Sequence, residues 1–164
     1  MNMNSIIFTL FVTLAIMTPF NASAQINGKA RVIDGDTIQI GSNKIRLYGI
    51  DAPELKQVCT IDSQSWMCGE EAAMTLAYET ADHWISCIVK GQDRYGRTLA
   101  VCFKGNIDIN GEMVKRGLAL AYRKYSDSYI EYEELAQSNK IGMWRSNFIK
   151  PWDWRKKEKR HKKQ

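Results

Sequence analysis

Four carboxylates and two arginines are the residues of this chain whose types and spacing could do chemistry. Asp34-Gly35-Asp36-Thr37 falls between two strand-like stretches, and Asp51-Ala52-Pro53-Glu54 ends a third. Hairpin pairing of those stretches brings both segments to one end of a sheet, so Asp34, Asp36, Asp51 and Glu54 converge. Hard oxygen donors of this kind bind calcium or magnesium. An EF-hand is excluded, because the twelfth position counted from Asp34 is Ile45 and from Asp36 is Leu47, not Glu. Asp-Gly pairs alone are common turn residues. Arg46, in a strand one hairpin from the acids, and Arg97, at a later turn, give the acids a purpose. A cation and two guanidinium groups stabilise extra charge on phosphorus, while a carboxylate orients or deprotonates water. Each arginine alone is also compatible with a surface ion pair of little consequence. The histidines are His83, at the end of a predicted helix, and His161, in the basic tail, which offers neither a His-based nucleophile triad nor a multi-His metal site.

The elements that must hold these residues follow from pattern. Gly28–Ile33, Thr37–Ile40 and Lys44–Ile50 are predicted strands, with Gly41-Ser42-Asn43 as a hairpin turn. Ala52–Cys68 contains Pro53 and no period, and is read as a loop. Ala73, Leu76, Ala77, Thr80, Ala81 and Trp84 recur at three- and four-residue steps, which predicts a helix over Glu70–Trp84 with those residues on one face. Glu70 and Glu71 suit its first turn. Ile85–Val89 and Thr98–Phe103 form a second hairpin around Gly91–Arg97. A short helix, Asn110–Arg116, is stopped by Gly117. Leu118–Tyr122 can be a last strand, and Tyr129–Met143 a third helix with Ile130, Leu135 and Ile141 as its apolar contacts. Strands, a helix, two strands and then helices describe an α+β domain. Five short strands fit a partly open, five-stranded OB-type β-barrel with three helices.

Of the 164 residues, 45% are hydrophobic and 25% charged, which suits a single globular domain. Residues 1–24 carry no Lys, Arg, Asp or Glu. Ile6–Phe20 is a largely apolar run of 15 residues, followed by Asn21 and then Ala22-Ser23-Ala24. This reads as a signal peptide, residues 1–24, cut before Gln25, although its start lacks Lys and Arg. The run is shorter than the roughly 20 apolar residues of a membrane anchor. Secretion or a periplasmic location is expected, with no membrane span after cleavage. The folded domain is expected over residues 25–154, and residues 155–164 as a basic, disordered tail. That tail holds seven Lys or Arg against one Glu, which leaves the rest with 16 basic and 17 acidic side chains. The net charge of +5 therefore belongs to the tail and says little about what the folded body binds. Cys59, Cys68, Cys87 and Cys102 contain no C-x-x-C pair, which disfavours a four-cysteine zinc site. An even count behind an export signal favours two disulfides. A hairpin turning about Arg94 and Tyr95 sets Cys87 opposite Cys102, which leaves Cys59 to pair with Cys68.

Arg46-Leu47-Tyr48-Gly49-Ile50-Asp51-Ala52-Pro53-Glu54 resembles the signature of the staphylococcal nuclease family. So do Val32-Ile33-Asp34-Gly35-Asp36-Thr37, Asp93-Arg94-Tyr95-Gly96-Arg97, Gly117-Leu118-Ala119 and Gly142-Met143-Trp144, over about residues 28–144. The resemblance implies a calcium-dependent nuclease that hydrolyses phosphodiester bonds of DNA and RNA. It implies Asp36 and Asp51 as calcium carboxylates, the Ala52 backbone carbonyl as a further ligand and Asp34 as a supporting acid. It implies Glu54 as the carboxylate acting on the attacking water, and Arg46 and Arg97 as the pair that holds the phosphate. Arg94 and Tyr95 match positions that contact a terminal phosphate, and Tyr122 an aromatic near the base. The chain departs from the family with Ala52 where Thr is frequent and with a different tyrosine spacing at Tyr122 and Tyr125. Lys56–Cys68 and Trp152-Asp153-Trp154 also lie outside the core signature. A monomer with no stable protein partner is expected. Two rival readings stand beside a nuclease: a non-catalytic nucleic-acid-binding module on the same barrel, and an exported domain that binds a partner through its tail.

Overall fold

The computed structural model describes residues 24–162. The expected signal peptide, Ala24 apart, lies outside the described residues. The main sheet has seven strands. β1 (Gln25–Gly28), β2 (Ala30–Asp34), β3 (Thr37–Ile40) and β4 (Asn43–Leu47) are joined by β8 (Ile85–Gln92), β9 (Thr98–Lys104) and β10 (Ile107–Asp108). Their order is β1-β8-β9-β4-β3-β2, with β10 paired to β9. All pairings are antiparallel except β4 with β9, which is parallel and sets Arg46 beside Leu99. β5 (Ile50–Asp51) pairs with β11 (Leu120–Ala121), and β6 (Cys59–Ile61) with β7 (Gln64–Trp66). The helices are α1 (Cys68–Thr80), α2 (Ile109–Lys115), α3 (Ile130–Ser138) and α4 (Pro151–His161).

The α+β class stands, but the expected counts of five strands and three helices do not. Among the described residues the sheet runs from β1 to β2 without closing, and there are four helices. The segment read as a loop over Ala52–Cys68 hides the β6–β7 hairpin. Its turn residues Asp62 and Ser63 both have positive φ, as a type I′ hairpin turn requires, but neither is the glycine that advertises such a turn. The pairs Cys87–Cys102 and Cys59–Cys68 are both disulfides. The first joins directly opposed residues of β8 and β9.

Two helical faces differ from expectation. In α1 the buried residues are Cys68, Gly69, Ala72, Leu76, Glu79 and Thr80, whereas Ala77, Ala81 and Trp84 are exposed. The helix stops at Thr80, so the last two positions never join its face. In α3 the inward residues are Glu133 and Ala136, joined by Tyr129 just before the helix, while Leu135 and, beyond the helix end, Ile141 are exposed. Glu133 takes the inward place because its Oε1 accepts the Ala121 N–H at 3.0 Å and Oε2 pairs with Arg123 at 2.6 Å. A hydrogen-bonding requirement outweighs hydrophobic spacing there.

The disordered tail expected from residue 155 is corrected: residues 155–161 continue α4. Pro151 at the first helical turn is pre-set for a helix start. Asp153 lies in the first turn and Lys159, Arg160 and His161 in the last, each matching the helix dipole. Asp153 also pairs with Lys156 at 2.8 Å. Pro151 is buried, and Trp152 packs on a small second core of Cys59, Cys68, Leu120 and Met143. A basic run that would repel itself in isolation is thus anchored at its start.

Candidate active site

Asp34-Gly35-Asp36 is the turn from β2 to β3, and the register slips just before it, between Val32 and Asp34. Its glycine is a space requirement. A Cβ on Gly35 would come within 2.8 Å of the Ala52 and Ala72 side chains. The turn therefore presses onto the Asp51–Glu54 segment and onto α1. Asp34 Oδ1 accepts the Asp36 N–H at 3.1 Å and shapes the turn. Asp36 Oδ2 accepts the Ala52 N–H at 3.0 Å, and Thr37 Oγ1 donates to Asp36 Oδ1 at 3.0 Å.

Arg46 projects from β4 between two buried acids. Its Nη1 donates to Asp36 Oδ1 at 2.9 Å and its Nη2 to Asp51 Oδ1 at 2.5 Å. Burial pushes the Asp36 carboxyl up to about 6, and the Arg46 charge only partly offsets this. Burial also raises Asp51. Burial opposes the charge on Arg46, but Asp36 and Asp51 outweigh it and hold the guanidinium protonated.

Glu54 sits just past β5 on a tightly fixed backbone. Its N–H donates to the Gln57 side-chain oxygen at 3.2 Å, and its carbonyl accepts the Gln57 N–H at 2.7 Å. Gln57 is fully buried and also donates to the Ile149 carbonyl at 2.6 Å. A Cβ on Gly69 would lie 1.8 Å from the Glu54 carbonyl oxygen. Only glycine lets the first turn of α1 approach that closely. Gln57 and Gly69 thus position the acid, and the sequence shows them merely as polar and small residues.

Arg155 of α4 completes the cluster and was not expected there. Its Nη2 donates to Asp51 Oδ2 at 2.7 Å and its Nη1 to Glu54 Oε1 at 2.8 Å. Burial opposes its charge, but its bonds to the Asp51 and Glu54 carboxylates outweigh that and raise its pKa. The short spacing Trp152-Asp153-Trp154-Arg155 was the available signal, since aromatic residues beside an arginine are unusual in a disordered tail.

Arg97, Arg94 and Tyr95 form a separate group at the β8–β9 turn. Asp93 organises them: its Oδ1 accepts the Tyr95 and Arg97 N–H groups at 2.8 and 3.0 Å, and its Oδ2 pairs with Arg97 Nη2 at 2.7 Å. Arg94 Nη2 donates to the Tyr95 hydroxyl at 2.7 Å. Among the described residues, the ion-pair partner of Arg97 is Asp93 and not the acids around Arg46. The parallel β4–β9 pairing nevertheless sets Leu99 beside Arg46, and Arg97 lies two residues before Leu99, just ahead of β9. Tyr122 lies in an aromatic row with Tyr48, Tyr125 and Trp152, at centroid distances of 5.2–5.8 Å. Tyr125, spaced differently from the family, is part of that row.

Among the described residues no three carboxylates close on one point as a ready metal cluster. The donor chemistry still fits a hard cation. Two carboxylates offer about eight lone-pair positions, and the bonds named here use five of them. No helix among the described residues is long and apolar enough to cross a membrane.

Comparison with known proteins agrees with the motifs. The chain is 38% identical to an uncharacterized endonuclease of Haemophilus influenzae, over 89% of this chain and 83% of that one. It is 35% identical to the micrococcal nuclease of Shigella flexneri, over 90% of each chain. It is 36% identical to the succinoglycan biosynthesis protein ExoI of Rhizobium meliloti, over 76% of this chain and 68% of that one. Residues 44–146 match the family described as staphylococcal nuclease homologue, and the chain belongs to that family.

Proposed function

We propose that the protein is an exported, calcium-dependent nuclease that hydrolyses phosphodiester bonds of DNA and RNA. The observation that carries this reading is a half-exposed carboxylate, Glu54, fixed beside the buried set Asp36–Arg46–Asp51. Its relatives named endonuclease and micrococcal nuclease support the same reaction class.

Asp36, Asp51 and the Ala52 carbonyl would hold calcium, with Asp34 supporting Asp36. Bound there, the cation would neutralise charge on the phosphate. Glu54 takes the proton of the attacking water, as a carboxylate open to solvent on one side can. Arg46 uses two of its five N–H donors on Asp36 and Asp51, which leaves three for non-bridging phosphate oxygens. Arg97 keeps its Nη1 group for the same use. Arg94 and Tyr95 at the turn would meet a terminal phosphate, and Tyr122 a base. Two disulfides suit an oxidising compartment and so support secretion or the periplasm, for a monomer starting at Gln25.

The test is cleavage of single-stranded DNA and RNA against calcium concentration, then with excess chelator. Calcium-dependent loss of full-length substrate is expected. Binding without cutting would put the non-catalytic module first.

A further inference from the structure

We propose that Arg155 is a positioning residue of this site, delivered by helix α4 to fix the Glu54 carboxylate against Asp51. The proposal rests on the nuclease reading and adds a residue to it. Asp36, Arg46, Asp51, Arg155 and Glu54 form one chain of alternating charge, linked by contacts of 2.9, 2.5, 2.7 and 2.8 Å. Asp51 is fully buried and gives one oxygen to each arginine, so it serves as a fixed post between them.

Glu54 needs such a hold. Its backbone is locked by Gln57 and Gly69, but its side chain is 41% exposed and has three torsions of its own. Among the described residues, Arg155 is the side chain that donates to its carboxylate, and it does so at Oε1. Oε2 is left for water. One planar guanidinium reaches both Asp51 and Glu54 with separate nitrogens, a span that a single ammonium does not reproduce. Helix α4 is itself anchored through buried Pro151 and through Trp152. The position of Arg155 is therefore set by packing and not by the acids alone.

The experiment uses the full oxidised chain: wild type, Arg155→Ala, Arg155→Lys and, as control on the exposed side of α4, Glu158→Gln. Steady-state cleavage of single-stranded DNA with calcium gives kcat and KM. Arg155→Ala should lower kcat by about 10- to 100-fold, the size of a small misplacement of a catalytic group. KM should stay within about threefold, since the group acts through Glu54 and not on substrate. Arg155→Lys should regain part of kcat, and the control should match wild type. A readout without turnover comes from melting temperatures in chelator. Once Arg155 is alanine, Glu54→Gln should lower the melting temperature no further, because coupled partners are not additive. A kcat for Arg155→Ala within about twofold of wild type, a change in KM alone, or additive melting shifts would overturn the proposal. If Arg155→Ala does not fold, Arg155→Lys carries both readouts. A wild type that does not cut would sink the nuclease reading, while the melting comparison would still report the bridge.

Discussion

The two arginines assigned to the phosphate should differ sharply in what they contribute to stability, and the structure sets the size of the difference. Replacing Arg46 by Met removes one donor from Asp36 and one from Asp51, which are 4% and 0% exposed. Breaking a buried ion pair by removing one partner costs about 3–5 kcal/mol. The lower end applies, because Asp36 keeps Thr37 and Ala52 as donors and Asp51 keeps Arg155. Arg97 differs in that Asp93 keeps the backbone N–H groups of Tyr95 and Arg97, so Arg97→Met should cost at most about 1 kcal/mol. The assay is guanidinium chloride unfolding in chelator, with disulfides intact, followed by tryptophan fluorescence. With a slope of about 4 kcal/mol per molar, the midpoint should fall by about 0.7 M for Arg46→Met and by about 0.2 M or less for Arg97→Met. Both variants should still lose turnover. Equal midpoint shifts, or a shift below about 0.2 M for Arg46→Met, would refute the placement of Arg46 between two desolvated acids.

Glu79 gives a pH-dependent test away from the site. The hydrogen bond from Lys104 at 2.5 Å, aided by Arg116 at 2.6 Å, holds its carboxyl below the ordinary 4.5. A carboxylate lowered in this way stabilises the fold above its unfolded value, and the contribution is lost as pH falls through the folded one. Glu79→Gln should therefore cost about 1–2 kcal/mol at neutral pH. Thermal melts should show the gap to wild type narrowing below 4.5; a gap that widens there would contradict this. For the exposed face of α4, changing Lys157, Lys159 and Arg160 to Gln should flatten the salt dependence of single-stranded DNA binding. The log–log slope should fall by up to about 2, with turnover at saturating DNA unchanged. An unaltered slope would remove α4 from the binding surface.

The parts of this fold that sequence reveals are those governed by local rules. Alternating strands around Thr37–Ile40 and Cys87–Cys102 fix register over a few residues, so the acids at Asp36 and Asp51 and the hairpin disulfide were legible. What sequence hid depends on partners distant along the chain. Arg155 lies more than a hundred residues from Glu54, and its role exists only because Trp152 and Pro151 seat α4. Gln57 reads as an ordinary loop residue until its buried amide is seen joining Glu54 to Ile149. Glu133 looks like a surface acid, but it turns inward to accept the Ala121 N–H of β11. Charge alone predicts a disordered basic end, whereas Trp152, which precedes it, anchors the run as a helix.

The central claim is that Glu54 acts on water within a calcium-dependent phosphodiesterase site. Its most direct test is the single-turnover rate of single-stranded DNA cleavage by wild type and Glu54→Gln, each with saturating calcium and with excess chelator. Glutamine keeps the size and hydrogen bonding of Glu54 but removes the base, so the rate should fall by roughly 10²–10⁴. Wild type should stop cutting in chelator, while the variant still binds DNA. Full activity in Glu54→Gln, or undiminished wild-type cleavage with calcium removed, would contradict the account.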